Sequence, residues 1–288
     1  MTPGDGMSDS GLITLNIEGL NVEVPPRPSY AARIERAREL SEHSSAWELL
    51  SFYSRLAFLQ QRVFEALGAT GTLEQQDSNS WPLLSEKLTP LFPEFVHSLT
   101  EICPSLMRER AESFAHADAS EQCSLLTRFW NGSLEESDND LVDRSVALAF
   151  LQPYAEWLAQ TRSGMSITHR ANCPICSSEP VCAVLRDQYH GARRGLICSL
   201  CMNEWSYPRL RCPSCGEERF GSLPVFTPEA VPHVRIDACE TCKLYIKTID
   251  LTKDGRAVPV VDELATASLD LWARSRGYSK IALNVAAL

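Results

Sequence analysis

Four short stretches decide how this chain is to be read: Cys173-Pro174-Ile175-Cys176, Cys198-Ser199-Leu200-Cys201, Cys212-Pro213-Ser214-Cys215 and Cys239-Glu240-Thr241-Cys242. A Cys-x-x-Cys pair on a tight turn lets two thiolates reach one ion while N–H groups of the turn point at the sulfurs, and two such turns face to face complete a tetrahedral site of four sulfurs. The separations are 21 residues between Cys176 and Cys198, 10 between Cys201 and Cys212, and 23 between Cys215 and Cys239. Each long gap suits a hairpin and the short gap suits a linker. The natural grouping is therefore two tandem quartets, Cys173, Cys176, Cys198 and Cys201, then Cys212, Cys215, Cys239 and Cys242. Zinc and iron both accept four sulfurs in a tetrahedron, so this pattern alone does not choose between them.

Other uses of these cysteines account for the pattern less well. Paired spacing that recurs four times is not what small buried hydrophobes would leave. A redox dithiol of the thioredoxin kind needs a βαβ pattern around the pair, and none surrounds any of the four. Cys103, Cys123 and Cys182 read as ordinary thiols. His169, four residues before Cys173, reads as a surface histidine or an outer donor to a ligand, and His190 and His233 fall between knuckles whose ligand sets are already complete. A closed four-sulfur site lacks the open position of hydrolytic metals. No Ser/His/Asp set, phosphate loop, HExxH or GxGxxG supplies another chemistry, so catalysis by this chain is not expected.

Outward from the cysteines the texture changes. Short β-type runs, Val181–Leu185, Leu196-Ile197, Val234–Ile236 and Leu244–Ile249, lie between the knuckles, with a turn at Asp254-Gly255. A helix over 262–276, carrying Leu264, Leu269, Leu271 and Trp272, closes the chain. Upstream, residues 46–67 place Leu49, Phe52, Tyr53, Leu56, Leu59, Val63 and Leu67 on one helical stripe, with Gly68 as its stop. Further helices are predicted near 81–88, 91–102, 105–117, 120–131 and 140–162, the last kinked or split by Pro153. Ser29 is a plausible first N-cap. The organisation expected is α+β: an extended lead-in over 1–28, a helical domain over 29–165, a first four-cysteine ribbon over 166–210, a second over 211–259, and a helix with tail over 260–288.

Charge bears on partners. Residues 1–168 carry 12 basic and 24 acidic side chains, and residues 169–288 carry 15 and 13. Eight thiolates on two divalent ions would make the ribbon segment slightly acidic, so little is gained there from phosphate neutralisation and nucleic acid is a poor partner. The longest apolar run, Val146–Leu151, is far short of the ~18 residues a membrane span needs. The first 28 residues hold no lysine and only Arg27 as a cation; with eleven cysteines and no secretory pattern, a reducing cytoplasmic setting is expected. Self-association is left open.

The residues around the knuckles add a resemblance. The order Cys173-Pro-Ile-Cys176-x3-Pro180, Cys198-x2-Cys201-x2-Glu204-Trp205, Arg211-Cys212-x2-Cys215 and Ala238-Cys239-x2-Cys242-x2-Tyr245-x-Lys247 resembles the FdhE family of formate dehydrogenase accessory proteins. Asp262-Glu263-Leu264-Ala265-x3-Leu269-Asp270 with Gly277-Tyr278 is similar to that family's closing helix, and Tyr30-Ala31-x2-Ile34-x-Arg36, with the helix from Leu49 to Gln61, to its N-terminal region. Ser177 and Lys243 stand where a glycine commonly follows the second cysteine of a knuckle, and must accept a positive φ or shift the turn, at about 1 kcal/mol. Asn284-Val285-Ala286 replaces the family's usual Asn-Pro-Phe. The resemblance implies a cytoplasmic maturation factor that binds the catalytic subunit of a respiratory formate dehydrogenase before export, with rubredoxin-like knuckles that favour iron. Glu204-Trp205 and Asp262-Glu263 are the candidate client contacts. Two other functions compete: an iron electron carrier acting on the client's redox centre, and a zinc-ribbon nucleic-acid factor.

Overall fold

Ser29 opens the first helix as the sequence suggests: its extended backbone and its hydroxyl, accepting from Ala32 N at 3.2 Å, satisfy a donor that the helix start leaves free. The computed structural model describes residues 13–17, 20–24, 28–69, 88–134, 138–161, 170–188 and 191–287. The helix expected near 81–88 (apart from Leu88), His169 and His190 lie outside the described residues.

Strands β1 (Ile13–Ile17) and β2 (Leu20–Val24) form an antiparallel hairpin. Among the described residues, six α-helices follow: α1 (Tyr30–Ser41), α2 (Trp47–Ala69), α3 (Phe92–Ile102), α4 (Ser105–His116), α5 (Ala119–Trp130) and α6 (Asp138–Thr161). The stripe of α2 is buried at Phe52, Tyr53, Leu56, Val63 and Leu67, with Leu50 added, and the helix runs past Gly68 by one residue. Helix α6 is the apolar axis of the domain, and Val146–Leu151 is buried at every position.

Pro153 does not split α6. Proline has no N–H for the carbonyl four residues back, which would leave Ala149 O without its helical donor. Gln60, on α2, supplies the replacement: its Nε2 donates to Ala149 O at 2.8 Å and to Gln152 Oε1 at 2.9 Å. Gln152 Nε2 in turn donates to Ser199 O at 2.9 Å, inside the second cysteine knuckle. The proline defect is thus repaired by a buried amide relay that ends at the ribbons.

The ribbons are β3 (Pro180–Gln188), β4 (Gly191–Cys198) and β5 (Glu204–Ser206), then β6 (Val225–Phe226), β7 (Val234–Ala238) and β8 (Leu244–Asp250). Each trio is an antiparallel meander. They do not stand apart: β3 pairs parallel with β8 through Ala183↔Thr248, Val184↔Ile249 and Leu185↔Asp250, so the strand order is β5-β4-β3-β8-β7-β6 in one continuous sheet. The main apolar core runs from the helices into this sheet, from Tyr30 to Val285, and a smaller one gathers Ile236, Ala238, Tyr245, Ala273 and Tyr278. The closing helix is two, α7 (Pro259–Ala265) and α8 (Ala267–Ser275). The break falls at Thr266, whose hydroxyl donates to Asp262 O and Glu263 O at 2.9 and 3.1 Å, while Lys247 Nζ also takes Glu263 O at 2.5 Å. Strand β9 (Ser279–Lys280) then pairs parallel with β8.

Candidate metal centres

All four knuckles are built from one turn. The N–H of the first cysteine donates to the carbonyl five residues on: Cys173 to Ser178, Cys198 to Asn203, Cys212 to Glu217 and Cys239 to Leu244, at 2.8 to 2.9 Å. The fourth residue after that cysteine is left-handed each time: Ser177 (φ 63°), Met202 (φ 54°), Gly216 (φ 77°) and Lys243 (φ 59°). Ser177 and Lys243 therefore accept the positive φ rather than shifting the turn. Met202 does the same; its place one residue beyond Cys201 was the signal for it.

The geometry brings the expected cysteines together in the expected sets. In each quartet the four sulfurs lie within 4.8 Å of one another, so each group could hold a metal ion. In the first, Sγ···Sγ separations are 3.3 Å (Cys176–Cys198), 3.5 Å (Cys176–Cys201) and 3.6 Å (Cys173–Cys201). In the second, they are 3.8 Å (Cys212–Cys242) and 3.6 Å (Cys215–Cys239). A tetrahedron of sulfurs about 2.3 Å from a central ion has edges of about 3.8 Å, so both quartets fit one ion. Backbone N–H groups aim at the sulfurs: Ile175 at Cys173, Leu200 and Cys201 at Cys198, and Ser214 at Cys212, each at 3.4 Å. Such donors stabilise thiolate charge in a dry site.

The centres differ in shelter. Cys173, Cys198 and Cys201 are buried, and that quartet borders a cleft of about 470 Å³ whose walls include Trp130, Arg144, Leu158, Ile175 and Leu200. In the second quartet Cys215 is exposed and Cys242 half-buried. Cys103 and Cys182 are buried and belong to neither quartet, and burial pushes both thiols up, Cys182 furthest. His233 is no ligand; its Nε2 lies 3.0 Å from Asp262 Oδ1.

Two candidate client contacts are corrected by burial. Trp205 is 1% exposed and donates through Nε1 to Arg170 O at 2.9 Å, while Glu204 accepts from Arg186 at 2.8 to 3.1 Å. Asp262 and Glu263 are 2% and 1% exposed. Trp205, Asp262 and Glu263 offer no surface, and Glu204 is half-buried under its bonds to Arg186.

What Asp262 and Glu263 do instead was not readable from spacing. Arg36 from α1 reaches Asp262 with Nε at 3.1 Å and Nη2 at 2.7 Å. Behind it lies a buried cluster of two lysines and two carboxylates. Lys247 Nζ sits 2.8 Å from Glu263 Oε1 and 2.6 Å from Asp270 Oδ2, Lys280 also bonds Glu263, and Asn284 Nδ2 donates to Glu263 Oε2 at 2.9 Å. Tyr245 donates to Asp270 Oδ1 at 2.6 Å. Burial alone would raise the Glu263 carboxyl, but the two ammonium groups hold it down to about 2. The tail closes on the last knuckle as well: Tyr278 donates to Glu240, and Ser279 N to Lys243 O at 2.9 Å.

A helical domain fused to one sheet that carries two rubredoxin-like tetrathiolate sites defines the class of protein. Residues 172–209 match the family model for the FdhE central domain, and residues 210–286 that for the FdhE C-terminal domain. A "Protein FdhE homolog" of Aquifex aeolicus is 35% identical over 181 residues, 62% of each chain, and one of Shewanella oneidensis is 27% identical over 282 residues, covering 91% of this chain and 89% of that one. The crystal structure of the FdhE protein from Pseudomonas aeruginosa shares the fold at a TM-score of 0.73 and 21% identity, over 91% of this chain and 96% of that one. Residues 172–286 therefore carry the central and C-terminal domains of the FdhE family.

Among the described residues, no helix is long and apolar enough to cross a membrane.

Proposed function

We propose that this chain is a non-catalytic accessory protein for formate dehydrogenase, acting in the cytoplasm by holding the enzyme's catalytic subunit before export. Each cysteine quartet holds one ion in this reading, iron by the family's likeness to rubredoxin. The observation that carries it is the fusion of two closed four-sulfur sites with a helical domain in the arrangement of the FdhE family. A bound ion cross-links four positions of an otherwise short-stranded sheet. The quartets leave no coordination position open for substrate, which supports a scaffold over an enzyme. Capture of the catalytic subunit by the affinity-tagged, metal-loaded chain tests this reading. Capture should be lost when Cys198→Ser and Cys239→Ser together remove both ions; undiminished capture without either ion would remove the ribbons from the binding surface.

A second reading, electron transfer by ribbon iron to the client's redox centre, is favoured by one feature. Cys215 is exposed, which brings the second centre to the surface where an electron can leave over a short distance. Ferric iron held by four thiolates colours the protein red and reduction bleaches it. Full maturation by a colourless zinc form would eliminate this role. The mixed charge of the ribbons disfavours nucleic acid as a partner.

A further inference from the structure

Beside the second quartet lies a pocket of about 170 Å³ whose walls include Arg194, Arg209, Arg211, Arg235 and Asp237. Four arginines and one carboxylate residue thus line it. Arg194, on β4, is 2% exposed. Its Nη1 donates to Arg211 O at 3.1 Å and weakly to Pro208 O at 3.4 Å. Its Nε has no hydrogen-bond acceptor, and Nη2, although 3.3 Å from Asp237 Oδ2, makes no hydrogen bond with it. Asp237 is already committed elsewhere: Arg235 donates to it at 2.8 and 3.3 Å, and Thr248 Oγ1 at 2.7 Å. Arg211 Nε is likewise buried without a hydrogen bond and lies 3.5 Å from Glu218 Oε1.

A buried guanidinium with unmet N–H groups is costly, because desolvation removes its water partners and nothing replaces them. Burial pulls Arg194 below the ordinary arginine range, and Asp237 offsets this only in part. Cys212 and Cys239 stand in the same wall. As thiolates on an ion they would share their charge with it, and no sulfur hydrogen-bonds Arg194 Nε. We propose that this pocket binds a small oxyanion, a phosphate-type or carboxylate group, with Arg194 as its buried anchor and Arg209 and Arg211 at its mouth. The guanidinium fork matches such oxygens in geometry and charge. A pocket of about 170 Å³ suits phosphate or a short carboxylate. Leu223, Val225 and Ile281 line the remainder and keep the local dielectric low, which strengthens the attraction. The residues come from β4, the linker between the ribbons and β7, so a bound anion would also join the two modules.

The test is calorimetric titration of the full-length, metal-loaded chain with inorganic phosphate and, separately, acetate in low-chloride buffer. One saturable site per chain is expected for at least one probe, and preference for phosphate or acetate distinguishes a tetrahedral from a planar ligand. Arg194→Met should weaken binding by about tenfold or more with the metal content unchanged. Should that variant not fold, Arg209→Gln on the exposed rim should still weaken binding several-fold, and Leu223→Trp should block it by filling the pocket. Absence of saturable uptake of either probe below about 10 mM, or equal affinity in wild type, Arg209→Gln and Leu223→Trp, would overturn the proposal.

Discussion

Arg36 and Asp262, 226 positions apart, form a two-pronged ion pair with both side chains buried, joining the first helix of the helical domain to the helix that follows the second ribbon. Burying two charges costs several kcal/mol unless each meets the other well. Here the pair is reinforced by Val258 N, which donates to Asp262 Oδ2 at 2.8 Å, and by His233. The two halves of the chain are therefore tied by charge as well as by apolar packing.

Arg36→Met leaves Asp262 buried with only His233 and one backbone N–H as partners. The expected loss is about 3 kcal/mol, a fall in Tm of roughly 5 °C for a chain of this size. In a double-mutant cycle, adding Asp262→Leu should recover part of it. Additive losses would mean that the two side chains do not depend on each other.

Gln60 is predicted to matter through Pro153. Gln60→Leu keeps the volume but strands Ala149 O and weakens the hold of Gln152 on the second knuckle. The expected cost is about 1 to 3 kcal/mol, read from the urea midpoint. If the relay exists to mend the proline defect, Pro153→Ala in the same background should recover a share, since the alanine N–H serves Ala149 O. No recovery would break that link.

Acid dependence follows from Glu263. Its folded pKa, about 2, lies below the ordinary 4.5. A depressed carboxyl contributes stability that is fully present above about 4.5 and is lost as pH falls through the folded value. The urea midpoint of the wild type should therefore drop between pH 4.5 and 2. Glu263→Gln should be weaker at neutral pH and flatter across that window, with metal content followed in both proteins. Parallel curves would exclude Glu263 as the titrating group.

Ser177→Gly tests the knuckle turn. At φ 63° a serine carries left-handed strain that glycine does not, so the substitution should stabilise the protein by about 1 kcal/mol. The complementary change, Gly216→Val at φ 77°, should destabilise it and weaken metal retention at the second centre. Equal stability in all three proteins would show that the turn relaxes at no cost.

Much of this was legible in the chain itself. Cysteine spacing carried the grouping of the quartets, because a knuckle is a local turn and its two ligands are always three residues apart. Ser177 and Lys243 declared their strain by standing at a position of fixed handedness. Parallel pairing of β3 with β8 was not legible, since strands that meet across some sixty residues leave no local mark and each module alone accounts for its own hairpin. Lys247, Glu263, Asp270 and Lys280 were hidden for a related reason. A charged residue in sequence reads as surface, and only the arrival of a partner from a distant element lets it be buried. Trp205 misled in the opposite direction, its nearness to a knuckle suggesting exposure where the fold packs it inside.

The central claim is that two ions organise the ribbons, one in each quartet. Elemental analysis with a visible spectrum on anaerobically purified protein tests it directly, alongside Cys198→Ser and Cys215→Ser. Two ions per wild-type chain and one per variant are expected, with the larger loss of stability for Cys198→Ser because its sulfur is buried and Cys215 lies at the surface. A metal-free wild type in which residues 173–247 remain folded would contradict the account.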